Sequence, residues 1–518
     1  MMDEKMPLER QNGTTSETWS AVSALQLFCV ATLCVFTGTL LFYGFIYSLH
    51  HDLAGSALSG RLAVILGDSF RDYSIYFPPV EKFWFSLAAQ LSNLIGLRLD
   101  LTVIAMTNIM VLVGVGLAFQ IRRATVGASP LFFILSLAVL IILPILFKNV
   151  FGLREHIVAA GLWPYLVLRF SEPDGVRISW RLRMLLGLWM GATLLFKYVY
   201  SAVVFLVELT DSLMKRRPLL LFRIENITAG SVVFLYLLLW LGLDPSQREA
   251  IGAMMSAIDA NLLDQSENWS KITQNLMPAI LFLIASWYFR IPGRLTGIAL
   301  ATVVATVLAA WSQERWYTHH LFPITMAYIA WWWIAARQFR WFMNVAAALL
   351  ILLPIAAQFL STQDYQEQSA ELGQALEDDG RTLEGKRVAI LTMHPSPYNQ
   401  YLASHGALRW NPMMNTAYVA AELKPFDEVE MAGKPPPVKL DDPGRMMLHD
   451  QMLRLWEDIP PDVLILDRTH RWPLRYIDVD WVHVFSEDAR FNAILANYRP
   501  VMAYDGKQIR FTYYVRAR

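Results

Sequence analysis

The chain has little charge and almost no cysteine. Only 17% of its 518 residues are charged and 55% are hydrophobic, whereas about a quarter of a soluble domain is usually charged. Its two cysteines, Cys29 and Cys34, both lie in the first apolar run, which argues against a disulfide or a metal site and favours small packing residues. The formal net charge is zero, so charge gives no reason to expect a nucleic-acid partner.

Several familiar sequence signals are absent as well. The sequence contains no HExxH, CxxC, P-loop or GxGxxG motif that would place a soluble cofactor. No internal repeat is evident, which argues against the inverted-repeat transporters. The segment Met1–Ser20 lacks the basic start, short apolar core and small-residue cleavage site of a signal peptide. The run that begins near Val22 is therefore interpreted as an uncleaved first span.

Long apolar runs are what the sequence does contain. Many of them approach or exceed the ~20 residues that a helix needs to cross a bilayer. The pattern predicts an α-helical polytopic membrane protein with about 11 transmembrane helices and a C-terminal α/β extracytoplasmic domain. The predicted spans are 23–48, 102–121, 129–147, 156–170, 183–196, 197–210, 224–243, 275–290, 295–311, 320–336 and 341–359.

Arginine-rich turns at every second gap between these runs set the predicted orientation. Because basic loops stay in the cytoplasm, we expect the N-terminal segment 1–22 inside and the segment after the last span outside. Segment 183–210 leaves two alternatives, one long helix or two short helices that meet near Lys197, and the charge pattern favours the second. The basic positions are Arg122, Arg123, Arg177, Arg181, Arg183, Lys215, Arg216, Arg217, Arg290, Arg294, Arg337 and Arg340.

The chain divides into a membrane domain, 23–360, and a C-terminal domain, 361–518. Outer loop 49–101 of the membrane domain has two apolar stretches, near 57–66 and 83–97, that are predicted to be helices lying in the membrane interface. The C-terminal domain is predicted to begin with a polar linker and then to alternate short buried strands with helices. Its predicted elements are the linker Ser361–Gly385, the strands Lys386–Leu391, Pro461–Asp467 and Ile509–Val515, and the helices Met446–Trp456 and Phe491–Asn497.

Acids, histidines and aromatic residues gather at the gaps opposite the arginine-rich turns. In the first outer loop, Asp52 follows a histidine, and Asp72 and Tyr76 precede Pro78 and Pro79. The two prolines force an extended backbone and end a preceding helix, which would hold Asp72 and Tyr76 at the mouth of the bundle. The alternative is an ordinary interfacial turn with tyrosine anchors.

Two further outer segments carry charge at the ends of predicted spans. Arg154, Glu155 and His156 form either part of a site or an anchor that reaches into the interface. In the segment Glu314–His320, Arg315 can bind a phosphate through two hydrogen bonds, whereas its aromatic neighbours would also suit an interfacial belt.

Lys197 lies among apolar residues. A lysine in a membrane is costly, so it usually pairs with an acid or faces a cavity. Its partner is therefore expected to be a substrate phosphate or, as a structural alternative, Glu155 or Glu208.

Four short segments carry a resemblance to a known family. They are DYSIYFPP (Asp72–Pro79), GLREH (Gly152–His156), FKYVY (Phe196–Tyr200) and ERWYTHHLFP (Glu314–Pro323). In this order the chain resembles the GT-C superfamily of polytopic glycosyltransferases, in the branch of the protein O-mannosyltransferases and the lipid A aminoarabinose transferases. The resemblance covers roughly residues 20 to 360. It implies a bacterial inner-membrane enzyme with its C-terminal domain in the periplasm.

The resemblance also implies catalytic roles. The family's catalytic acid lies in the first outer loop shortly after the first span, and Asp52 matches it, although Leu53 stands where the family commonly has a second acid. Asp72 is the alternative base, and Asp68 is a third candidate. Glu155 matches the acid of the second outer loop, which binds a metal or the acceptor.

The chemistry that such a family performs explains the remaining roles. An acceptor hydroxyl attacks the anomeric carbon beside a carboxylate, and the departing phosphate needs positive charge. The residues expected to bind the donor phosphate are Lys197, Arg315, His319 and His320. Those expected to bind other substrate groups are Tyr76, Arg154, Trp316 and Tyr317. A divalent cation, Mg²⁺ or Mn²⁺, would be held by Asp52, Glu155 and His156.

The expected partners are a lipid-linked sugar donor, membrane lipid and an acceptor that is an envelope glycan, a lipid or a protein. Two other functional classes remain as alternatives. A transporter or flippase of lipid-linked glycans would be expected to have broken helices and ionisable groups near mid-membrane. A non-catalytic scaffold would use the C-terminal domain to bind partners.

Overall fold

The computed structural model describes residues 21–69, 79–127, 130–146, 150–171, 178–242, 267–313, 318–336, 363–378, 380–411, 417–419, 423, 437–469 and 477–517. The described part is mostly helical and contains a five-stranded sheet near the C-terminus. A helical N-terminal part and a C-terminal α/β domain follow one another along the chain, as the sequence predicts.

Helices fill the N-terminal part. Ten of the eleven predicted spans each coincide with one of them, and the eleventh, 341–359, lies outside the described residues. In chain order the helices are α1 Ala21–Leu41, α2 His51–Leu66, α3 Pro79–Ile95, α4 Leu99–Thr125, α5 Pro130–Leu137, α6 Arg154–Ser171, α7 Trp180–Leu194, α8 Ser201–Lys215, α9 Ile224–Leu241, α10 Glu267–Tyr288, α11 Gly293–Trp311 and α12 Thr318–Ala336.

Length and composition identify two candidate membrane spans among the described helices, α4 and α11. Shorter apolar helices lie at Cys29–Phe45, Phe132–Leu146 and Ile224–Trp240. The first two of these include π-helical turns, Phe42–Ile46 after α1 and Ala138–Ile142 after α5. The expected number of about 11 crossings therefore stays a prediction.

The helical segment around Lys197 is broken, as the charge pattern favours. Helix α7 ends at Leu194, a 3₁₀ turn occupies Tyr198–Tyr200, and α8 begins at Ser201. Two separate helices therefore meet near Lys197, and the alternative of one long helix is wrong.

The first outer loop forms the two helices that its apolar stretches predict, and one of them, α2, is largely covered by other parts of the protein. Helix α2 is buried along most of its length, including the run Leu53–Gly60. At Gly60 a β-carbon would lie 2.4 Å from the backbone of Phe85 in α3, so only glycine permits this close approach of the two helices. Helix α2 is therefore largely enclosed by protein, and its predicted position at the membrane interface stays a prediction.

The C-terminal domain is an α/β unit, and its predicted strands and helices are confirmed. Strands β2, β1 and β3 are parallel, β5 runs antiparallel to β3, and β4 runs antiparallel to β5; the order across the sheet is β2-β1-β3-β5-β4. The strands are β1 Arg387–Leu391, β2 Leu408–Arg409, β3 Val463–Asp467, β4 Tyr498–Asp505 and β5 Arg510–Arg516. The helices are α13 Gln363–Asp378, α14 Tyr398–Ser404, α15 Pro443–Asp458, α16 Trp481–Val484 and α17 Ala489–Leu495.

Five elements of this domain were not predicted, which are α13, β4, the two-residue strand β2 and the short helices α14 and α16. The polar stretch Ser361–Gly385 is not only a linker, because α13 occupies most of it. Strand β4, which pairs with β5 at the edge of the sheet, was not predicted. Its residues Tyr498–Asp505 include a proline and two charged side chains, which weaken the strand pattern.

The C-terminal domain packs on α2 through helix α14 and strand β2. Helix α2 contributes to two buried apolar clusters that both continue into that domain. One cluster contains Leu62, Ala63, Ala389 and Leu391, and the other contains Leu53, Ala57, Tyr398 and Tyr401. Because these contacts surround one helix, the sheet domain has a fixed place beside the first turn of α2.

A buried ionic network lies near the C-terminal end of α6. Arg169 is fully buried there, forms an ion pair with Glu208 of α8, and has its Nη2 2.6 Å from Oε1 of Glu225 in α9. Glu155, at the other end of α6, is about 21 Å away along the helix axis, at about 1.5 Å per residue. The other pairs are Arg183–Glu225 at 2.8 Å, Arg223–Glu208 at 3.2 Å, Arg223–Asp211 at 2.7 Å, Arg294–Asp211 at 2.6 Å and Lys215–Asp211 at 3.7 Å.

Arg169→Met should lower the free energy of unfolding by about 3–5 kcal/mol, because it removes a buried cation from Glu208 and Glu225. The thermal unfolding midpoint in detergent micelles measures the effect. Arg181→Met, at an exposed position of α7, is the matched control and should leave the midpoint unchanged. Equal midpoints for the Arg169 variant and wild type would contradict a structural role of the network.

Arg409, in edge strand β2, is a buried guanidinium without a partner in the described part of the chain. The residue is 4% exposed, and its Nη1 and Nη2 have no hydrogen-bond acceptor there. Burial lowers the pKa of Arg409 to about 9. A buried charge without a partner destabilises the fold that contains it.

Arg409→Met should therefore raise the free energy of unfolding of the protein, by about 1–3 kcal/mol, because it removes buried unsatisfied donors. A higher thermal unfolding midpoint is the expected result. Arg387→Met is the control that should not raise it, because Arg387 Nη2 lies 2.7 Å from Oδ1 of Asp462. A lower midpoint for the Arg409 variant would mean that the guanidinium makes a favourable contact in the folded protein.

Candidate active site

Glu155 is the buried centre of the candidate site. It lies in the first turn of α6, and its carboxylate forms an ion pair with Lys197 from the break between α7 and α8. His320, in the first turn of α12, has Nε2 3.3 Å from Oε1 of the same carboxylate. Three segments distant in sequence therefore converge on one carboxylate. Of the two acids predicted as structural partners of Lys197, Glu155 forms the ion pair and Glu208 does not.

A second carboxylate, Glu81, lies beside this centre. It is buried in the first turn of α3, and its Oε1 lies 3.1 Å from Nη1 of Arg154. Burial raises the pKa of Glu81 although the charge of Arg154 and their hydrogen bond oppose that rise. Glu81 was not among the predicted residues. Glu81 could have been recognised from the sequence because it follows Pro79 by two residues, and proline and an acid are both favoured in the first turn of a helix.

Asp52 lies in the first turn of α2, between two histidines. His50 Nδ1 is 3.6 Å from one carboxylate oxygen and His51 Nε2 is 3.7 Å from the other, and the Asp52 side chain is 40% exposed. Burial opposes ionisation, but His51, His50 and His319 together outweigh it and hold the pKa of Asp52 below its usual range. A carboxylate that is ionised and reachable from solvent can accept a proton.

Gly152 explains how α6 comes to begin against α2. Its φ is 86°, in the left-handed region that favours glycine, and a β-carbon there would lie 2.7 Å from the side chain of Leu53. The glycine of the GLREH segment thus permits close contact with the residue that follows Asp52. This contact places the first turns of α2 and α6 at the same end of the bundle.

A row of five histidines connects the two carboxylates Asp52 and Glu155. Neighbouring ring centroids in the row are 4.4 Å apart for His319–His320, 5.9 Å for His50–His319, 4.1 Å for His50–His51 and 4.7 Å for His51–His394. The last member, His394, belongs to the C-terminal domain. His319 and His320 were predicted as site residues, whereas the participation of His50, His51 and His394 was not.

Two groups of side chains could hold a metal ion. Within Glu155, His319 and His320, and within His50, His51 and Asp52, the possible ligand atoms lie no more than 4.8 Å from one another. Imidazole ligands suit Mn²⁺ or Zn²⁺ better than Mg²⁺, which prefers oxygen. The donor set therefore fits the Mn²⁺ alternative of the prediction better than the Mg²⁺ alternative.

His156 does not belong to either group, and its predicted role as a metal ligand is wrong for this structure. Its Nδ1 accepts a hydrogen bond from the backbone of Gly152 at 2.9 Å, and its Nε2 lies 2.7 Å from the carbonyl oxygen of Leu140. The first contact uses the lone pair of Nδ1, and the second requires a proton on Nε2. Both nitrogens are therefore engaged in holding the start of α6.

The structure brings together six of the predicted site residues, which are Asp52, Arg154, Glu155, Lys197, His319 and His320. The other predicted site residues apart from His156 lie outside the described residues. These are Asp72, Tyr76, Arg315, Trp316 and Tyr317. Their predicted roles stay predictions.

No family model and no curated protein matches the sequence. Solved structures that are similar to it include the following two. ArnT from Cupriavidus metallidurans, bound to undecaprenyl phosphate, is 14% identical, with 96% of this chain and 98% of that chain covered and a TM-score of 0.46. The archaeal oligosaccharyltransferase AglB from Archaeoglobus fulgidus, in complex with an inhibitory peptide and a dolichol-phosphate, is 10% identical, with 86% and 69% covered and a TM-score of 0.40.

At identities of 14% and 10% and TM-scores of 0.46 and 0.40, these similarities assign no activity, substrate or residue role to this chain.

The Glu155–Lys197 pair should behave as a coupled buried pair. Lys197→Met alone should lower the free energy of unfolding by about 3–5 kcal/mol, because it leaves a buried carboxylate without its ammonium partner. Adding Glu155→Gln to that variant should restore most of the loss, as seen in thermal unfolding midpoints. Additive losses in the double variant would contradict the pairing.

Proposed function

We propose that the protein is a membrane glycosyltransferase that moves a sugar from a polyprenyl phosphate to an acceptor hydroxyl. The observation that carries the proposal is the convergence of an accessible carboxylate, Asp52, and a buried cluster of Glu155, Lys197 and His320 at one end of the helical bundle. Inverting transfer needs this combination, a base for the acceptor and positive charge for the leaving phosphate.

The proposed reaction is a displacement at the anomeric carbon of the donor. The acceptor oxygen forms the new bond to that carbon, and its proton passes to the carboxylate of Asp52. The bond between the anomeric carbon and the phosphate oxygen breaks, and its electron pair leaves with the lipid phosphate. Asp52 fits the role of base because its side chain is 40% exposed and its carboxylate lies beside His50 and His51, so an acceptor hydroxyl can reach it.

Lys197, His319 and His320 are proposed to face the departing phosphate. Their cationic and hydrogen-bond donor groups would stabilise the charge that develops on the phosphate oxygens. Arg315, predicted from the sequence, would join them. Glu155 would hold Lys197 in place, and with His319 and His320 it would hold a divalent cation, whose chemistry when bound is to neutralise phosphate charge.

The finer features of the function are proposals that follow from the resemblance and the charge pattern. They are a bacterial inner membrane, an N-terminus in the cytoplasm, a site at the periplasmic face, and an envelope glycan, lipid or protein as acceptor. Arg154, held by Glu81, is proposed to contact the acceptor side of the substrate.

The test is donor consumption in proteoliposomes supplied with a panel of polyprenyl-phosphate sugars. One donor should be consumed by wild type, and Asp52→Asn should lower that rate by about 10²–10⁴-fold, because the acceptor loses its base. Asp505→Asn, in which a 65% exposed side chain of the C-terminal domain is changed, should retain the rate.

Asp72→Asn distinguishes the two bases that the sequence leaves open. If that variant loses the rate and Asp52→Asn keeps it, Asp72 is the base. Failure of wild type to consume any donor, with lipids moved across the bilayer instead, would refute the proposal and favour a flippase.

A further inference from the structure

The loop that follows β1 holds His394 in a defined orientation. Its Nδ1 accepts a hydrogen bond from the backbone N–H of Ser396 at 3.2 Å, and its own backbone N–H donates to Oγ1 of Thr392 at 3.2 Å. Thr392 is in turn 2.7 Å from Oδ2 of Asp467 at the end of β3. Because Nδ1 acts as an acceptor, the neutral ring carries its proton on Nε2. The sheet therefore fixes both the position and the tautomer of this ring.

The fixed ring of His394 lies against the first turn of α2. Its centroid is 4.7 Å from that of His51, and His51 Nε2 is 3.7 Å from Oδ1 of Asp52. A second contact from the same domain reaches the same residue, because Asn399 Nδ2 donates to the carbonyl oxygen of His51 at 3.2 Å. His51 is therefore held from the domain side by a ring and a hydrogen bond while its own ring faces Asp52.

This contact is between parts of the chain that are far apart in sequence, and the apolar packing around α2 makes it stable. The clusters shared by α2 with β1 and with α14 bury both sides of the helix. Burial of this kind is worth about 25 cal/mol for each Å² of apolar surface. One polar substitution at His394 should therefore leave the C-terminal domain docked.

We propose that the C-terminal domain completes the active site and that His394 is a positioning residue, which orients His51 and through it the carboxylate of Asp52. The inference rests on the proposed function, because it assigns to this domain a part in the same transfer reaction. His394 need not touch the sugar, the lipid or the acceptor. Its effect is to keep the base aimed at the acceptor hydroxyl, and a small misplacement of a reacting group lowers the rate strongly.

The experiment compares four proteins, which are wild type, His394→Asn, His51→Asn and the double variant. Asparagine at 394 offers an oxygen that can still accept from Ser396, so it keeps the loop and removes the ring. We expect His394→Asn to lower kcat by about 10–100-fold with little change in the KM of the donor, as for residues that orient a reacting group. In the His51→Asn background the same change should cost nothing further, because the residue through which His394 acts is already gone.

The control and the contrary outcomes separate this inference from the proposed function. His405→Asn alters an exposed histidine at the end of α14, and kcat should not change. Multiplicative losses in the double variant, or an unchanged kcat in His394→Asn, would overturn the positioning role although the enzyme turns over its donor. If wild type turns over no donor, the proposed function fails. The thermal midpoints of the four proteins then decide whether His51 and His394 are coupled, and additive midpoint shifts would refute the contact as well.

Discussion

Helix α6 carries a buried charge cluster at each end, and the need to pair those charges constrains the helices around it. A buried charge is tolerated only with a partner and with its remaining hydrogen bonds satisfied. At the C-terminal end, Arg169 requires acids from α8 and α9. At the N-terminal end, Glu155 requires a lysine from the α7–α8 break and a histidine from α12. A shift of α6 along its axis would break both sets of pairs, so the same helix that orders the bundle also positions the site.

The second constraint is the burial of α2 between the helical N-terminal part and the C-terminal domain. A helix that is buried along most of its length cannot tilt freely, and the first turn of α2 carries Asp52. The close crossing at Gly60 fixes α2 against α3, and α3 begins with Glu81 and its partner Arg154. Asp52, proposed as the base, and the Glu155–Lys197 cluster, proposed to face the phosphate, are thus connected through packed helices rather than through a loop. This arrangement suits a reaction in which two reactants must meet at a set distance.

Local patterns in the sequence predict most of the helices and strands, because apolar runs and alternation depend on near neighbours in the chain. Helix α13 was missed because its composition is polar, and the burial of α2 was missed because an apolar helix face packs equally well on lipid or on protein. His156 was misjudged because the sequence does not reveal that Gly152 and Leu140 occupy its two nitrogens. His394 could not be found from sequence, since its contact with His51 depends on how two domains dock.

The placement of charge also bears on the choice between transfer and transport. A transporter carries its substrate past the midplane and needs polar or broken helical structure there. In α6 the charges lie near its ends, and the stretch between them, Ile157–Leu168, is mostly apolar and buried. The helical structure is broken at Lys197, between α7 and α8. That lysine is paired with Glu155 in the first turn of α6, so it is not an isolated charge in the middle of the bundle. Charged groups at the ends of a helix, separated by an apolar stretch, favour chemistry at the membrane surface over passage through the membrane.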